Sequence, residues 1–523
     1  MFTKKYSLIL FLLAAFVMAA AVSCTGDLNT SPIDERVTTS ADVYDTPDDF
    51  RQVLAKLYAG YATTGQEGPA GNPDIQGIDE GFSQYVRQYW VHQVLSSDEA
   101  VVAWNDPGLP DFNTQSWGAN NDFVMGMYSR IFYQVALTNE FIREANRRTE
   151  PVIQGFKAEA RFLRALTYWH ALDLYGGNVP FVTEDDPIGA FLPQQTNAQD
   201  LFNYIESELL DLVDNLPDPQ DNEYGRADKG AAWMVLAKLY LNAEVYIGQN
   251  RYSEALQYAE LIVDHPAYEL AENYEHLFLA DNDRPEIQRS IIFPIRFDGD
   301  RIRTFGGTTF IIHAGVGGDM SAADFGIGGG WQGHRVTPQL VDKFDEDNDG
   351  RALFFTDGQT KEIDDIGQFT SGYASTKWKN VTSQGVPGKN SGFADTDFPM
   401  FRLADAYLMY AEAHLRGGGG SASRAVDLVN ELRERAYGDN SGNITAGDLT
   451  LEFILDERAR ELYWEGHRRT DLIRYGLFTT ADYVWAWKGD VQEGAATNDR
   501  YNVFPLPASD VNANPNLVQN KDY

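Results

Sequence analysis

The chain has 523 residues, with 42 Lys and Arg against 77 Asp and Glu, a formal net charge of −35 and 43% hydrophobic residues. So acidic a surface repels a phosphate-lined partner, which excludes nucleic-acid binding and adsorption to anionic lipid, and the hydrophobic content is that of an ordered protein. Aromatics reach 13%, including 10 Trp and 27 Tyr, enough for a ring-rich core or for a binding surface built from rings.

In chain order, Lys4 and Lys5 precede an apolar run over residues 8–21, shorter than the roughly 20 residues that span a bilayer. Residues 1–23 read as a secretory leader, and Ala21-Val22-Ser23 before Cys24 has the small-residue form of a lipoprotein cleavage site. Cys24 is the only cysteine, and acylation there, with palmitate or a similar chain, accounts for a lone thiol in an exported protein. Residues 24–40 are polar and carry a proline, a tether ahead of a single domain over 41–523.

Helices then follow in pairs. Over residues 153–175, Phe156, Leu163, Leu166 and Trp169 keep helical spacing, and Gly176-Gly177 supplies the stop. Residues 231–242 carry Leu236, Ala237, Tyr240 and Leu241 on one face. After the Gly248-Gln249-Asn250 turn, Tyr252, Ala255, Tyr258, Ala259 and Ile262 form a second stripe. Small residues at 237, 255 and 259 permit the close approach of tetratricopeptide-like pairs. A similar pair is expected over 401–415 and 423–437, split by the glycines at 417–420. Residues 60–125 and 280–400 interrupt the array, rich in Gly, Asn, Asp and aromatics, and long irregular segments in an ordered protein usually carry function.

The chemical motifs are mostly negative. The sequence holds no phosphate-binding Gly-Lys-Ser/Thr loop and no His-Glu-x-x-His, and the glycines at 326 and 328–330 lead into Trp331 rather than a helix start. The run Asp345 to Gly350 begins like an EF-hand loop, but Thr356 stands where a bidentate Glu belongs, so a solvated acidic turn is the competing reading.

Several segments carry a resemblance. Glu159-Ala160-Arg161-Phe162-Leu163-Arg164, Gly225-Arg226-Ala227-Asp228-Lys229, Asp397-Phe398-Pro399-Met400-Phe401-Arg402, and Asp456-Glu457-Arg458-Ala459-Arg460-Glu461 through Gly466-His467-Arg468-Arg469-Thr470-Asp471 resemble the SusD/RagB family of Bacteroidota surface lipoproteins, in order along the mature chain. The first interruption is most similar to the starch-binding member. The resemblance implies a mostly α fold with four tetratricopeptide-like helix pairs supporting a loop-rich glycan-binding face, anchored at the cell surface of the outer membrane. It implies no catalysis, a starch-like α-glucan such as a maltooligosaccharide as ligand, and a SusC-like TonB-dependent transporter as partner. Another glycan or a peptide on the same fold, or a surface polysaccharide-degrading enzyme, are the alternatives.

Carried over residue by residue, the resemblance implies an aromatic arc of Trp104, Phe305 and Trp331, with Arg87 and Asn105 as polar partners of sugar hydroxyls. Phe305 stands where the family member has Tyr, and an insertion after Phe344 is missing. A calcium ion between loops at Asp283 and Asp397 is also implied. Trp117 and Trp378 read as packing. Arg161, Arg164, Arg468 and Arg469, with Glu159 and Asp471, read as scaffold ion pairs.

Overall fold

The computed structural model describes residues 43–69, 71–189 and 191–523; the leader, Cys24 and the tether expected over residues 1–40 lie outside the described residues. The described residues 43–50 belong to one unit and residues 51–523 to another. In the first, Asp49 Oδ2 accepts from Thr46 N at 2.8 Å and Thr46 Oγ1 accepts from Asp49 N at 3.3 Å. This reciprocal cap starts helix α1 (Pro47–Ala62).

The second unit is built helix on helix. A short α2 (Tyr85–Trp90) leads to the long α3 (Asp122–Ala145) and α4 (Pro151–Tyr175), which pack on each other. Then come α5 (Ala198–Leu212), α6 (Lys229–Leu241) and α7 (Tyr252–Val263). Helix α5 packs on α4 and α6, and α6 on α7. Beyond a second loop-rich stretch holding α8 (Gly307–Ala314), the array resumes with α9 (Leu403–Ala413), α10 (Ala422–Tyr437), α11 (Leu451–Leu462) and α12 (Arg468–Arg474). Helix α7 packs directly on α9, so the stack continues across the interruption. This is the mostly α architecture of packed helix pairs that the sequence leads one to expect.

Local chemistry explains the boundaries. Asn121, Asn197, Asp228, Ser421 and Thr450 each accept a backbone N–H at a helix start. Pro151 opens α4, and Gly176, with φ +69°, closes it in the left-handed conformation. Phe156, Leu163, Leu166 and Trp169 of α4 are buried as their spacing requires.

Three two-stranded sheets organise the loops among the described residues. Antiparallel pairs join β1 (Ala100–Val102) to β3 (His334–Val336), β2 (Ile291–Ile295) to β6 (Phe398–Arg402), and β4 (Phe354–Phe355) to β5 (Ala374–Ser375). Phe401, expected on a helix, lies on β6 instead: pairing with β2 claims residues 398–402, and its ring packs on Phe293 and Trp169 with 6.2 Å between centroids in each case. The helix starts two residues later.

The arginine signatures form ion pairs with partners spread across the fold. Arg161 reaches Glu208 at 2.8 Å and Asp211 at 2.6 Å, Arg164 joins Glu184 and Glu208, and Glu159 holds Arg226. Asp471 pairs with Arg458 at 2.8 Å and Arg474 at 2.7 Å, and Arg469 lies 3.7 Å from Asp173. Arg468 forks onto Asp98 at 2.7 and 2.8 Å, fixing the residue two before β1 to helix α12. Trp464 adds a second tie, its backbone N donating to Glu99 at 3.0 Å.

Candidate functional site

The β1–β3 ladder brings the two interruptions together. Beyond the paired residues, Ala103 N donates to Gly333 O at 2.8 Å, which sets Trp104 beside residues 331–333. Trp104 Nε1 then donates to Trp331 O at 3.0 Å, and the two rings lie 6.4 Å apart at 44°. Trp331 in turn rests on His313, stacked at 4.8 Å, and its N–H donates to His313 O at 2.6 Å. His313 Nδ1 donates to Gly329 O at 2.9 Å, and burial holds this imidazole below its ordinary value, so a neutral ring underlies the indole.

Phe305 continues the row, 6.5 Å from Trp331 at 57° and 5.6 Å from Phe393 at 48°. Gln84 positions it. Its Oε1 accepts from Arg87 N at 2.7 Å and from Gly307 N at 2.8 Å, clamping the start of α2 to the start of α8. Gly307 has φ +53°, and a Cβ there would meet the Phe297 ring at 2.1 Å, so only glycine lets the chain turn after Phe305. Trp104, Phe305, Trp331 and Phe393 are all half-buried, whereas Trp117 and Trp378 are core.

Arg87 stands behind this row with its guanidinium 4.2 Å above the Phe310 ring. Its Nη1 donates to Gly81 O and Phe305 O, each at 3.0 Å, and Nη2 has no partner among the described residues. Burial pulls its pKa down to about 10, opposed by the nearby Asp106 and Asp79 carboxylates, so it stays cationic at neutral pH. Asn105 is exposed beside Trp104. The structure thus brings Arg87, Trp104, Phe305 and Trp331 together, with Asn105 adjacent in the chain. It adds Phe393 and the supports Gln84 and His313, which sequence reasoning passed over; an aromatic flanked by Gly392 in a polar loop is the one signal that pointed to Phe393.

A row of tilted, half-buried rings beside a cationic donor suits a ligand with apolar C–H faces and a polar edge.

The pair at Asp283 and Asp397 lies elsewhere. Asp397 is buried, and its Oδ1 accepts from Phe297 N at 2.7 Å. Its Oδ2 faces the neighbouring Tyr224 hydroxyl, near enough for a weak hydrogen bond but outside good hydrogen-bond geometry. Burial, reinforced by the Asp283 charge, pushes Asp397 up to about 7. No group of three or more His, Cys, Asp or Glu gathers at metal-binding distance among the described residues. Two carboxylates, one with a weakly bonded buried oxygen, still fit a hard cation that completes its shell with carbonyls and water. The acidic turn is different again: Asp349 is not solvated but buried on Arg351, at 2.8 and 2.9 Å.

The fold and site together define a helical-repeat protein whose interrupting loops carry a ring-lined face. The SusD family model matches residues 328–523. Over 98% of both chains the sequence is 36% identical to "Starch-binding protein SusD" of Bacteroides thetaiotaomicron, and over 75% of this chain it is 26% identical to "SusD-like protein P25" of Formosa agariphila, covering 76% of that protein. The chain belongs to the SusD family. Among solved structures, surface glycan-binding protein A of Bacteroides thetaiotaomicron in complex with laminarihexaose aligns with TM-score 0.69 at 19% identity over 90% of this chain and 99% of that one. Its Bacteroides fluxus counterpart aligns at 0.71 and 20%, over 91% and 100%.

Proposed function

We propose that this protein is a non-catalytic, lipid-anchored binder that captures starch-like α-glucans at the cell surface and delivers them to a SusC-like TonB-dependent transporter. The observation that carries the reading is the Trp104–Trp331–Phe305–Phe393 row, whose neighbours are separated by 5.6–6.5 Å and tilted by 44–57°, so that the faces follow a curve. Successive C–H faces of a helical glucan can lie on such a curve while Arg87 Nη2 and the Asn105 amide meet hydroxyls at its edge. A hard cation between Asp283 and Asp397 would brace the loops from outside the ring row. No described helix is long and apolar enough to cross a membrane, and the anchor at Cys24 is proposed from the sequence alone.

The test is calorimetric titration with maltoheptaose against wild type and Trp331→Ala, together with an assay for new reducing ends from amylopectin. Binding lost in the variant, with no reducing ends formed, supports the reading. Sustained release of reducing ends, or equal binding by Trp331→Ala, overturns it.

A further inference from the structure

We infer that Gln332 is a ligand-contacting residue that sets linkage specificity at the ring row, its carboxamide holding two adjacent free hydroxyls of the sugar stacked on Trp331, an inference that rests on the glycan-binding reading of that row.

Gln332 adopts φ +54°, in the left-handed region that side chains other than Asn and Asp rarely enter. Among the described residues six others besides the glycines do so, and two of these, Asp490 and Asp522, are of the tolerant type. Gln115, Gln220, Trp464 and Trp487 each commit the side chain to a backbone carbonyl inside the protein. Gln332 differs from all four: it is exposed, and no hydrogen bond engages its amide among the described residues.

Its neighbours sharpen the contrast. Glycines stand at 328–330 and 333, and none of them has a positive φ. Close approach explains two, since a Cβ at 330 would meet Val316 O at 2.1 Å and one at 333 would meet the Trp104 ring at 2.6 Å. Glycine is therefore missing at the one position of this run where the backbone calls for it. The turn is held without the Gln332 amide: Trp331 N, Gln332 N and Gly333 N donate to His313 O, Val316 O and Ala314 O at 2.6, 3.0 and 2.8 Å. A conformational cost kept where the amide adds nothing to the fold marks that amide for a ligand.

The same three bonds fix residue 332 at the C-terminal end of α8, next to Trp331. Arg87 lies at the other end of the helix, donating to Phe305 O, so the row has a cationic donor at one end and a neutral amide at the other. The Gln332 stem is supported as well. A Cβ at Gly317 would come within 2.4 Å of Gln332 Cγ and 2.9 Å of the Phe369 ring, which places the methylenes over Gly317 beside that ring.

A carboxamide donates through its nitrogen and accepts through its oxygen, side by side. Two neighbouring hydroxyls, one accepting and one donating, complete it. An internal unit of a 1,4-linked glucan has free 2- and 3-hydroxyls, whereas in a 1,3-linked glucan the 3-hydroxyl is in the linkage and no adjacent pair is left. The amide thus reads the position of the linkage, and the curve of the rings reads its anomeric form.

The experiment is calorimetric titration of wild type, Gln332→Gly and Gln332→Met with maltoheptaose and with laminarihexaose, alongside melting temperatures and Trp331→Ala as the reference. Gln332→Gly relieves the left-handed backbone, and Gln332→Met keeps the stem without the amide. Both should weaken maltoheptaose binding by roughly threefold to tenfold, as loss of neutral hydrogen bonds does, and change laminarihexaose affinity by less than about twofold. Gln332→Gly should melt no lower than wild type. A purely structural role would move both glycans together or lower that melting temperature, and either result overturns the assignment. Wild-type maltoheptaose affinity in both Gln332 variants also overturns it, while loss of binding in Trp331→Ala leaves the ring-lined reading standing. Full binding by Trp331→Ala as well overturns both.

Discussion

Gly333 lies against the indole of Trp104: a Cβ at position 333 would come within 2.6 Å of the ring. The same residue accepts the N–H of Ala103 through its carbonyl, so the backbone that orients Trp104 is also the surface it lies on. Gly333→Ala should push the indole off the Trp331 carbonyl at a cost of about 1–3 kcal/mol, as overpacking does. Glucan affinity should fall about tenfold or more, read by calorimetry, with the helical circular dichroism signal unchanged. Wild-type affinity in this variant would show that the ring is not a binding surface.

Arg87 spends one nitrogen on the protein and, in the proposed reading, offers another to the ligand. Nη1 bridges Gly81 O and Phe305 O, which leaves Nη2 free of hydrogen bonds among the described residues. A lysine can place one ammonium near those carbonyls but has no second nitrogen for a ligand. Arg87→Lys should weaken glucan binding by about 1.5–3 kcal/mol, the range for a hydrogen bond to a charged group. Titration of Arg87→Lys beside Asn105→Ala, where the smaller loss belongs to an exposed amide, measures it.

Asp397 makes a prediction with a defined sign. Its folded-state pKa of about 7 lies above the value of an exposed carboxylate because of burial first, with the Asp283 charge adding to it. The folded state therefore binds the extra proton, and stability from this group declines as pH rises from about 4 through about 7. A divalent cation held by the ionised pair reverses the loss. Calcium should raise the melting temperature at pH 8 and have little effect at pH 5, and Asp397→Asn should remove the pH 8 increment. Equal calcium response in Asp397→Asn by scanning calorimetry places the ion elsewhere.

At the end of β6, Arg402 satisfies two acids that helix α11 and its following turn bury. Its guanidinium reaches Glu461 at 2.6 Å and Glu465 at 2.5 Å, and all three side chains are essentially inaccessible. Glu461 keeps Arg351 and Arg435 and Glu465 keeps Lys377, so removing the arginine thins a buried network rather than stripping it, a loss of about 3 kcal/mol at the low end for a broken buried pair. Arg402→Met should show this in urea unfolding followed by circular dichroism.

The sequence made some of this legible and hid the rest for physical reasons. Helix α4 could be read because Phe156, Leu163, Leu166 and Trp169 keep helical spacing and Gly176 ends it, although its second half is buried on every side. Strand β6 could not, because its partner β2 lies about a hundred residues away and a five-residue strand has too short a pattern to stand out from a helix entry. Composition could not separate core from site: Trp90, Trp117, Trp169, Trp378, Trp464 and Trp485 are buried, three of them within the same interruptions, and only the family resemblance marked Trp104 and Trp331 as different. Gln84 and His313 act through residues 307 and 331, a closeness that exists only after folding.

The last prediction concerns how the ring row selects its ligand. Each ring accepts any sugar with a free C–H face, so discrimination should follow the bend of the polymer more than its individual hydroxyls. Trp331 contributes one stacking surface, supported from below by His313. Trp331→Ala should therefore lose about 1.5–3 kcal/mol, by analogy with burial of a large apolar side chain, which is about ten- to hundredfold in affinity. A cyclic α-glucan is already bent and has less chain entropy to lose than its linear counterpart. Titrating wild type with a cyclodextrin and with the linear maltooligosaccharide of equal length should give binding to the ring at least as tight as to the chain. A flat β-1,4-linked oligomer should bind more weakly than either, since it touches fewer of the tilted faces at once. Preference for that flat oligomer would falsify the curved-platform reading, because the separations at Trp104, Trp331 and Phe305 would then have no bearing on which polymer is held.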